Sequence, residues 1–368
     1  MTLEALPLPA GIRSHFVEGN NGLRMHVLEA GDPQAPGLML LHGFPELAYS
    51  WRKVMLPLAD AGYHVMAPDQ RGYGRTTGWD PDYDGDLASY HLLNLARDAL
   101  GVARALGHET VDLAGHDFGS WVAAWCALVR PDVFRSVAMM SAPFTGPPGL
   151  APAAADPIHA ELAALPRPRK HYQAYYCTRE ADRDMTGCAQ GLHAFLRAYF
   201  HVKSADWAAN RPYPLAAWTA PELAKMPTYY IMDLHEDMAQ TVAHEMPSRE
   251  ATAACRWLTE DELAVYSAEF GRTGLQGGLQ WYRARVTPPL PRQFELFAGR
   301  RIDVPACFIS GKSDWGMHQR PGALEAMRDK ACAQFRGTHL LEGAGHWVQQ
   351  EQPEAVARVL LDFFAARR

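Results

Sequence analysis

Val111-Asp112-Leu113-Ala114-Gly115-His116-Asp117-Phe118-Gly119-Ser120 joins a short buried-strand pattern to a helical one through Gly-x-Asp-x-Gly. A strand that turns this sharply into a helix needs small flanking residues, because the backbone passes close to itself. The middle side chain is then thrust out above the sheet, beside a helix N-terminus. Here that side chain is Asp117. An aspartate before a helix is most often an N-cap, and short glycine motifs recur by chance. The stretch alone leaves capping residue and nucleophile equally open.

Working outward, alternating segments at His15–Glu18 and Leu23–Glu29 flank Gly19-Asn20-Asn21-Gly22 and predict a hairpin. Gly37–Leu41 is a continuous apolar run, as in a strand covered on both faces. Strand and helix patterns then alternate: helix 50–61, strand 63–67, helix 87–106, strand 110–114, helix 118–129, strand 134–140. This rhythm predicts a mainly parallel sheet with helices on both faces. It breaks near Pro143. Residues 142–168 are rich in Ala and Pro, and helical patterns without buried strands run on to about Arg301. One of them starts at Thr259-Glu260-Asp261-Glu262, a capping threonine followed by acids. Strands return at 305–310 and 334–341, with helices at 321–330 and 353–366. The expected organisation is an α/β core from 1–143 and 299–368, with a mostly helical cap, 144–298, inserted into it.

A nucleophile at Asp117 needs a histidine, and the histidine needs an acid to orient it. Asp314 lies in the loop Gly311-Lys312-Ser313-Asp314 after one late strand, and His346 in Gly343-Ala344-Gly345-His346-Trp347 after the next. Both positions are carboxyl ends of strands, where ligands meet open α/β sheets. Leu40-Leu41-His42-Gly43-Phe44-Pro45 follows the central strand, so the backbone N–H groups of Phe44 and Phe118 are candidates for an oxyanion hole. Asp69 and Arg71, in Asp69-Gln70-Arg71-Gly72-Tyr73-Gly74, are read as structural.

At these residues the chain resembles the epoxide hydrolases of the α/β-hydrolase fold, from about residue 14 to the C-terminus. His42–Pro45, Asp69–Gly74, Gly115–Gly119 and Gly345–Trp347 carry the resemblance. It implies a mostly parallel eight-stranded sheet, Asp117 as nucleophile, and Asp314 with His346 as acid and base. Two departures stand out: Phe118, where tryptophan is common, and Ser120, where glycine is common. Neither removes a catalytic group.

An ionised carboxylate can displace a leaving group at saturated carbon, giving an ester that activated water then hydrolyses. The expected substrates are epoxides, alkyl halides or similarly activated carbons. An opening epoxide requires an acid above the nucleophile, and tyrosine suits that role. Gly277-Gly278-Leu279-Gln280-Trp281-Tyr282 and His171-Tyr172-Gln173-Ala174-Tyr175-Tyr176 resemble the two family segments that carry cap tyrosines. They point to Tyr282 and Tyr172, with Tyr175 and Tyr176 near enough to stand in for the latter. Trp281, Trp347 and Tyr176 are expected to line the substrate pocket, and 210–246 departs from the family pattern. Halide release would want side-chain N–H donors beside the elbow, where Phe44 and Phe118 stand.

The remaining observations exclude other classes. A net charge of −6, with 21% charged residues and no basic run, argues against nucleic-acid binding. No apolar stretch approaches the roughly 20 residues of a membrane span. The opening Met-Thr-Leu-Glu-Ala-Leu-Pro-Leu-Pro lacks the basic start of a signal peptide, so a cytoplasmic location is expected. Six cysteines without a C-x-x-C pair read as reduced thiols. No phosphate loop, Gly-x-Gly-x-x-Gly or His-Glu-x-x-His occurs, so no metal or cofactor is implied; the partners are a small hydrophobic epoxide and water. The alternatives are a haloalkane or haloacid dehalogenase of the same fold, and a non-catalytic ligand-binding protein built on it.

Overall fold

The computed structural model describes residues 3–150 and 156–366, so 151–155 of the Ala/Pro-rich stretch fall outside the described residues. The hairpin forms as β1 (Arg13–Asn20) and β2 (Leu23–Ala30). Asn21 and Gly22 turn it at φ 52° and 80°, left-handed positions that these two residue types adopt most readily. There follow β3 (Gly37–Leu41), α1 (Arg52–Asp60), β4 (His64–Pro68), α2 (Leu92–Ala105), β5 (Val111–His116), α3 (Phe118–Val129) and β6 (Phe134–Met140). The periodic stretch 87–106 is divided at His91, whose ring nitrogen accepts from the Leu93 N–H and caps α2. After the inserted segment come β9 (Ile302–Gly311) and β10 (Cys332–Leu341), then the closing helix Pro353–Ala365.

The eight strands lie in the order β1-β2-β4-β3-β5-β6-β9-β10, and only β2 runs against the rest. Parallel pairing puts the carboxyl ends of β3, β5, β6, β9 and β10 on one edge. From β3 the chain goes to β4 on one side, while β5 lies on the other, so a crevice opens between β3 and β5.

Side chains of the central strands alternate between two apolar layers, as the two-residue period of a strand requires. Met39, Leu41, Met66 and Leu113 pack with Leu95 and Val102 of α2 and Val122 and Ala123 of α3. Leu38, Leu40, Val65 and Ala114 pack with Val54 and Leu58 of α1 and Val356 and Leu360 of the closing helix. Burial of each large side chain stabilises the fold by about 1.5–3 kcal/mol. All six thiols are free. Among the described residues no helix is long and apolar enough to cross a membrane.

The inserted segment departs from the expectation of helices without buried strands. β7 (Arg169–His171) and β8 (Ile231–Asp233) pair antiparallel, with His171, Ile231 and Met232 buried. Three residues per strand are too few to show alternation, and the partner lies far along the chain. The helix Glu260–Thr273 starts at a capping box between Thr259 and Glu262, as its sequence indicates.

Arg71 and Asp69 are internal ties. Arg71 Nε donates to Asp98 Oδ2 at 2.8 Å and its terminal nitrogen to Oδ1 at 2.9 Å, while Asn21 adds a third bond to Oδ1 at 2.6 Å. Hairpin turn, β4 loop and α2 are thus joined by one buried ion pair. Asp69 accepts from His26 and from the backbone of Ala48 and Arg75, which holds its pKa down to about 2 against burial. Arg71→Met strands the Asp98 carboxylate and should cost about 3–5 kcal/mol, read as a lower urea midpoint. Arg71→Met with Asp98→Leu should recover most of that loss.

Candidate active site

Asp117 occupies φ 52°, ψ −121°, a conformation that costs a non-glycine residue about 1–3 kcal/mol. Its side chain makes no capping bond to α3, which removes the N-cap reading. The turn is tight because three glycines leave no room. A Cβ on Gly115 would lie 2.2 Å from the Gly119 carbonyl oxygen, one on Gly119 2.3 Å from that of Leu41, and one on Gly43 2.5 Å from Asp117 Cβ. Ser120 is accommodated because its hydroxyl donates to the Ala142 carbonyl at 2.8 Å.

The Asp117 side chain is nearly closed off from solvent, at 11% exposure. The Phe44 N–H donates to its Oδ1 at 2.9 Å, and His346 Nε2 lies 3.3 Å from its Oδ2. Phe118 opens α3, where a backbone N–H has no acceptor within the helix. Asp314 accepts at 3.1 Å from His346 Nδ1, and is itself held by the Gly316 N–H at 2.6 Å and the Ser310 hydroxyl at 3.1 Å. Loops from four different strands therefore deliver Phe44, Asp117, Asp314 and His346 to one point.

Charge follows from this geometry. Burial works against ionisation of Asp117, but His346 and, more weakly, Lys203 and His116 hold its pKa far below the ordinary value. For His346, burial favours the neutral ring. Asp314 overrides it, Lys203 opposes, Asp117 adds its pull, and the imidazole is pushed up to about 9. At pH 7 the resting pair is a carboxylate beside an imidazolium.

Tyr172 and Tyr282 face this carboxylate from the inserted segment, their rings 6.3 Å apart. Burial and then the Asp117 charge raise both phenols well above their usual pKa, so both stay protonated. The Tyr172 hydroxyl donates to Gln319 Oε1 at 3.0 Å and accepts from Gln173 Nε2 at 3.0 Å. Among the described residues no hydrogen bond to the Tyr282 hydroxyl is found. Tyr176 instead donates to Tyr199 at 2.9 Å and Tyr175 reaches Asp184. Of the trio, Tyr172 is the one whose hydroxyl feels the Asp117 charge. Rings of Phe44 and Phe118 lie 5.6 and 5.2 Å from that of Tyr282. Trp281 and Trp347 spend their indole N–H groups on the Arg71 and Phe200 carbonyls, leaving only ring faces free to border the site.

The profile of the α/β-hydrolase fold family matches residues 36–209. Epoxide hydrolase A of Mycobacterium tuberculosis is 33% identical over 93% of this chain and 94% of its own length. The epoxide hydrolase of Caballeronia sordidicola is 30% identical over 97% and 94%. Among solved structures, an epoxide hydrolase from an endophytic Streptomyces superposes with a TM-score of 0.78 at 31% identity, covering 98% of this chain and 97% of that one. The potato enzyme, epoxide hydrolase I, gives 0.72 at 29% identity, over 96% and 99%. The chain belongs to the epoxide hydrolase family. It is a hydrolase with an eight-stranded α/β-hydrolase sheet.

Beyond the site residues expected from the sequence, the structure brings His116 with Glu46, Gln319 and Lys203 to the site. His116 Nδ1 meets Glu46 Oε2 at 2.5 Å and its Nε2 meets the His346 carbonyl at 2.6 Å; Gln349 and the Gly43 N–H complete the Glu46 carboxylate. Gln319 meets Tyr172 as described. Lys203 lies buried at the end of the helix Leu192–Lys203, with its carbonyl accepting from the His346 N–H at 2.8 Å. Its signal in the sequence is a lysine continuing the stripe Phe195, Tyr199 at four-residue spacing on an apolar helix face.

The His346 ring, followed by NMR through its nitrogen shifts, should titrate near pH 9 rather than near 6.5. Asp117→Asn removes one of the two carboxylates and should lower that midpoint by at least about one pH unit.

Proposed function

We propose that this chain opens epoxides to vicinal diols by way of an ester on Asp117. The observation that carries the reading is the carboxylate held at a strained strand-to-helix elbow, ionised, with His346 behind it and two protonated tyrosines in front. An Asp117 oxygen attacks an epoxide carbon as the ring C–O bond breaks, and Tyr172 and Tyr282 hold and protonate the departing oxygen. His346 gives up one proton to restore the tyrosine, and the neutral ring, oriented by Asp314, then takes a proton from water as the water oxygen adds to Asp117 Cγ. The Phe44 and Phe118 N–H groups hold the resulting oxyanion, and collapse releases the diol. Segment 144–298 serves as the cap, with Trp281, Trp347 and Tyr176 as walls of the pocket. Phenyl rings at 44 and 118 offer a halide no side-chain donor, which weighs against dehalogenation.

Single turnover in ¹⁸O water tests the ester: label should enter the peptide containing Asp117, and its absence there would sink the mechanism. His346→Gln should accumulate an adduct of the mass of the epoxide. For Tyr282→Phe, the rate of ester formation should fall by about 10²–10⁴-fold with little change in its breakdown. Stopped-flow kinetics with styrene-type epoxides separates the two steps.

A further inference from the structure

Lys203 is 3% exposed, and its ammonium has neither a carboxylate within ion-pair distance nor a hydrogen bond among the described residues. A lysine buried this deeply is normally paired with an acid or loses its charge. Here the ammonium is caged by rings instead. Nζ lies 4.8 Å from the centre of Tyr230 and 5.0 Å from that of Tyr199, with Tyr172 and Trp347 just beyond. Ring faces stabilise a cation without taking its charge away. Burial draws its pKa down to about 8, while Asp117, Asp314 and Glu46 hold it up, so the charged form prevails at neutral pH. The residue is also fixed to the histidine. Its carbonyl accepts from the His346 N–H, and a Cβ at Gly345 would lie 2.5 Å from that oxygen.

The groups facing His346 can be counted. Asp314 and Asp117 bear one negative charge each, and Lys203 one positive. The His116 ring is 5.0 Å away, and both of its nitrogens meet acceptors, Glu46 and the His346 carbonyl. Glu351, bonded to the backbone N–H groups of Ala205, Gly345 and Trp347, has its carboxyl pushed up to about 8 by burial. The neighbouring tyrosines are neutral. Over Asp117, Asp314, Lys203 and His346, a protonated ring brings the total to zero.

We propose that Lys203 is a positioning residue that acts through its charge: caged beside His346, it makes the histidine give up its proton when Asp117 becomes an ester. The proposal rests on the reading of Asp117 as nucleophile. When the Asp117 oxygen bonds to carbon and the ring C–O bond breaks, the electron pair goes to the ring oxygen, which takes one proton. Asp117 has lost its negative charge. With Lys203 and Asp314 cancelling, an imidazolium now leaves a net positive charge in a buried site, so His346 releases one proton, matching the one taken up by the ring oxygen. Neutral His346 then takes a proton from water while the hydroxide oxygen bonds to Asp117 Cγ. The ester C–O bond breaks, the carboxyl proton passes to the leaving alkoxide, and carboxylate, imidazolium and diol result. Without Lys203, an imidazolium beside Asp314 would already balance in the ester, and the base would stay protonated.

The test is the pH dependence of ester breakdown in single turnovers of a styrene-type epoxide, with the adduct on the Asp117 peptide followed by quenched mass spectrometry. In Lys203→Met the rising acid limb should move up by about one to two pH units, slowing breakdown at pH 7 by about tenfold or more and letting ester accumulate. Lys203→Arg, which keeps the charge, should restore the wild-type limb. Lys203→Gln carries the same expectation as methionine should the latter not fold. Asp117→Asn, a neutral stand-in for the ester, supplies a second measurement: adding Lys203→Met to it should raise the NMR midpoint of His346. An unshifted limb would overturn the proposal, as would a uniform loss at every pH or a rise in KM alone. If no adduct appears in any variant, His346→Gln included, it is the Asp117 reading that fails.

Discussion

A carboxylate kept ionised away from water must have compensating charge and donors within a few ångströms. Asp117 obtains both, from His346 and from the Phe44 N–H. Much of the surrounding structure serves to keep that histidine in place. Asp314 fixes one ring nitrogen, His116 and Ser141 grip its carbonyl, Lys203 receives its N–H, and Glu351 holds the N–H groups on either side of it. These groups come from the core and from the inserted segment alike. The ion pair at the centre is thus only as well defined as the packing of the two parts against each other.

The elbow carries a strain that an isolated segment would relieve. It persists because its surroundings over-determine it: β5 is paired on both sides, and Gly43, Gly115 and Gly119 let three stretches of backbone meet where any side chain would collide. A parallel sheet supplies the necessary edge, since its strands all end on the same side. The Arg71–Asp98 pair secures the same architecture from beneath, tying the loop after β4 to the first helix of that layer.

Much of this is legible in the sequence because each core element is long enough to show its period. Helix 118–129 and strand 134–140 have the bounds that their apolar patterns indicate. Asp117, Asp314 and His346 stand out because short glycine-bearing loops follow strands, and a shared edge brings such loops together. What escaped depends on contacts across the chain. Three-residue strands at 169–171 and 231–233 carry no period. Gln319 is one polar residue in a loop, marked out only by the Tyr172 hydroxyl that reaches it. Lys203 breaks an apolar stripe, yet only the rings of Tyr199 and Tyr230, one of them distant in sequence, turn that break into a cage. His116 reads as filler within the elbow until Glu46 and the His346 carbonyl occupy both sides of its ring.

The small β7–β8 ribbon ties together two parts of the inserted segment that lie some sixty residues apart. The backbone N–H of Tyr172 donates to the Tyr230 carbonyl at 2.9 Å, as a direct continuation of that pairing. The stretch 210–246 and Tyr172 are therefore joined through one run of paired backbone. A change of backbone near Tyr230 displaces Tyr172 with it, because the two are locked in one register.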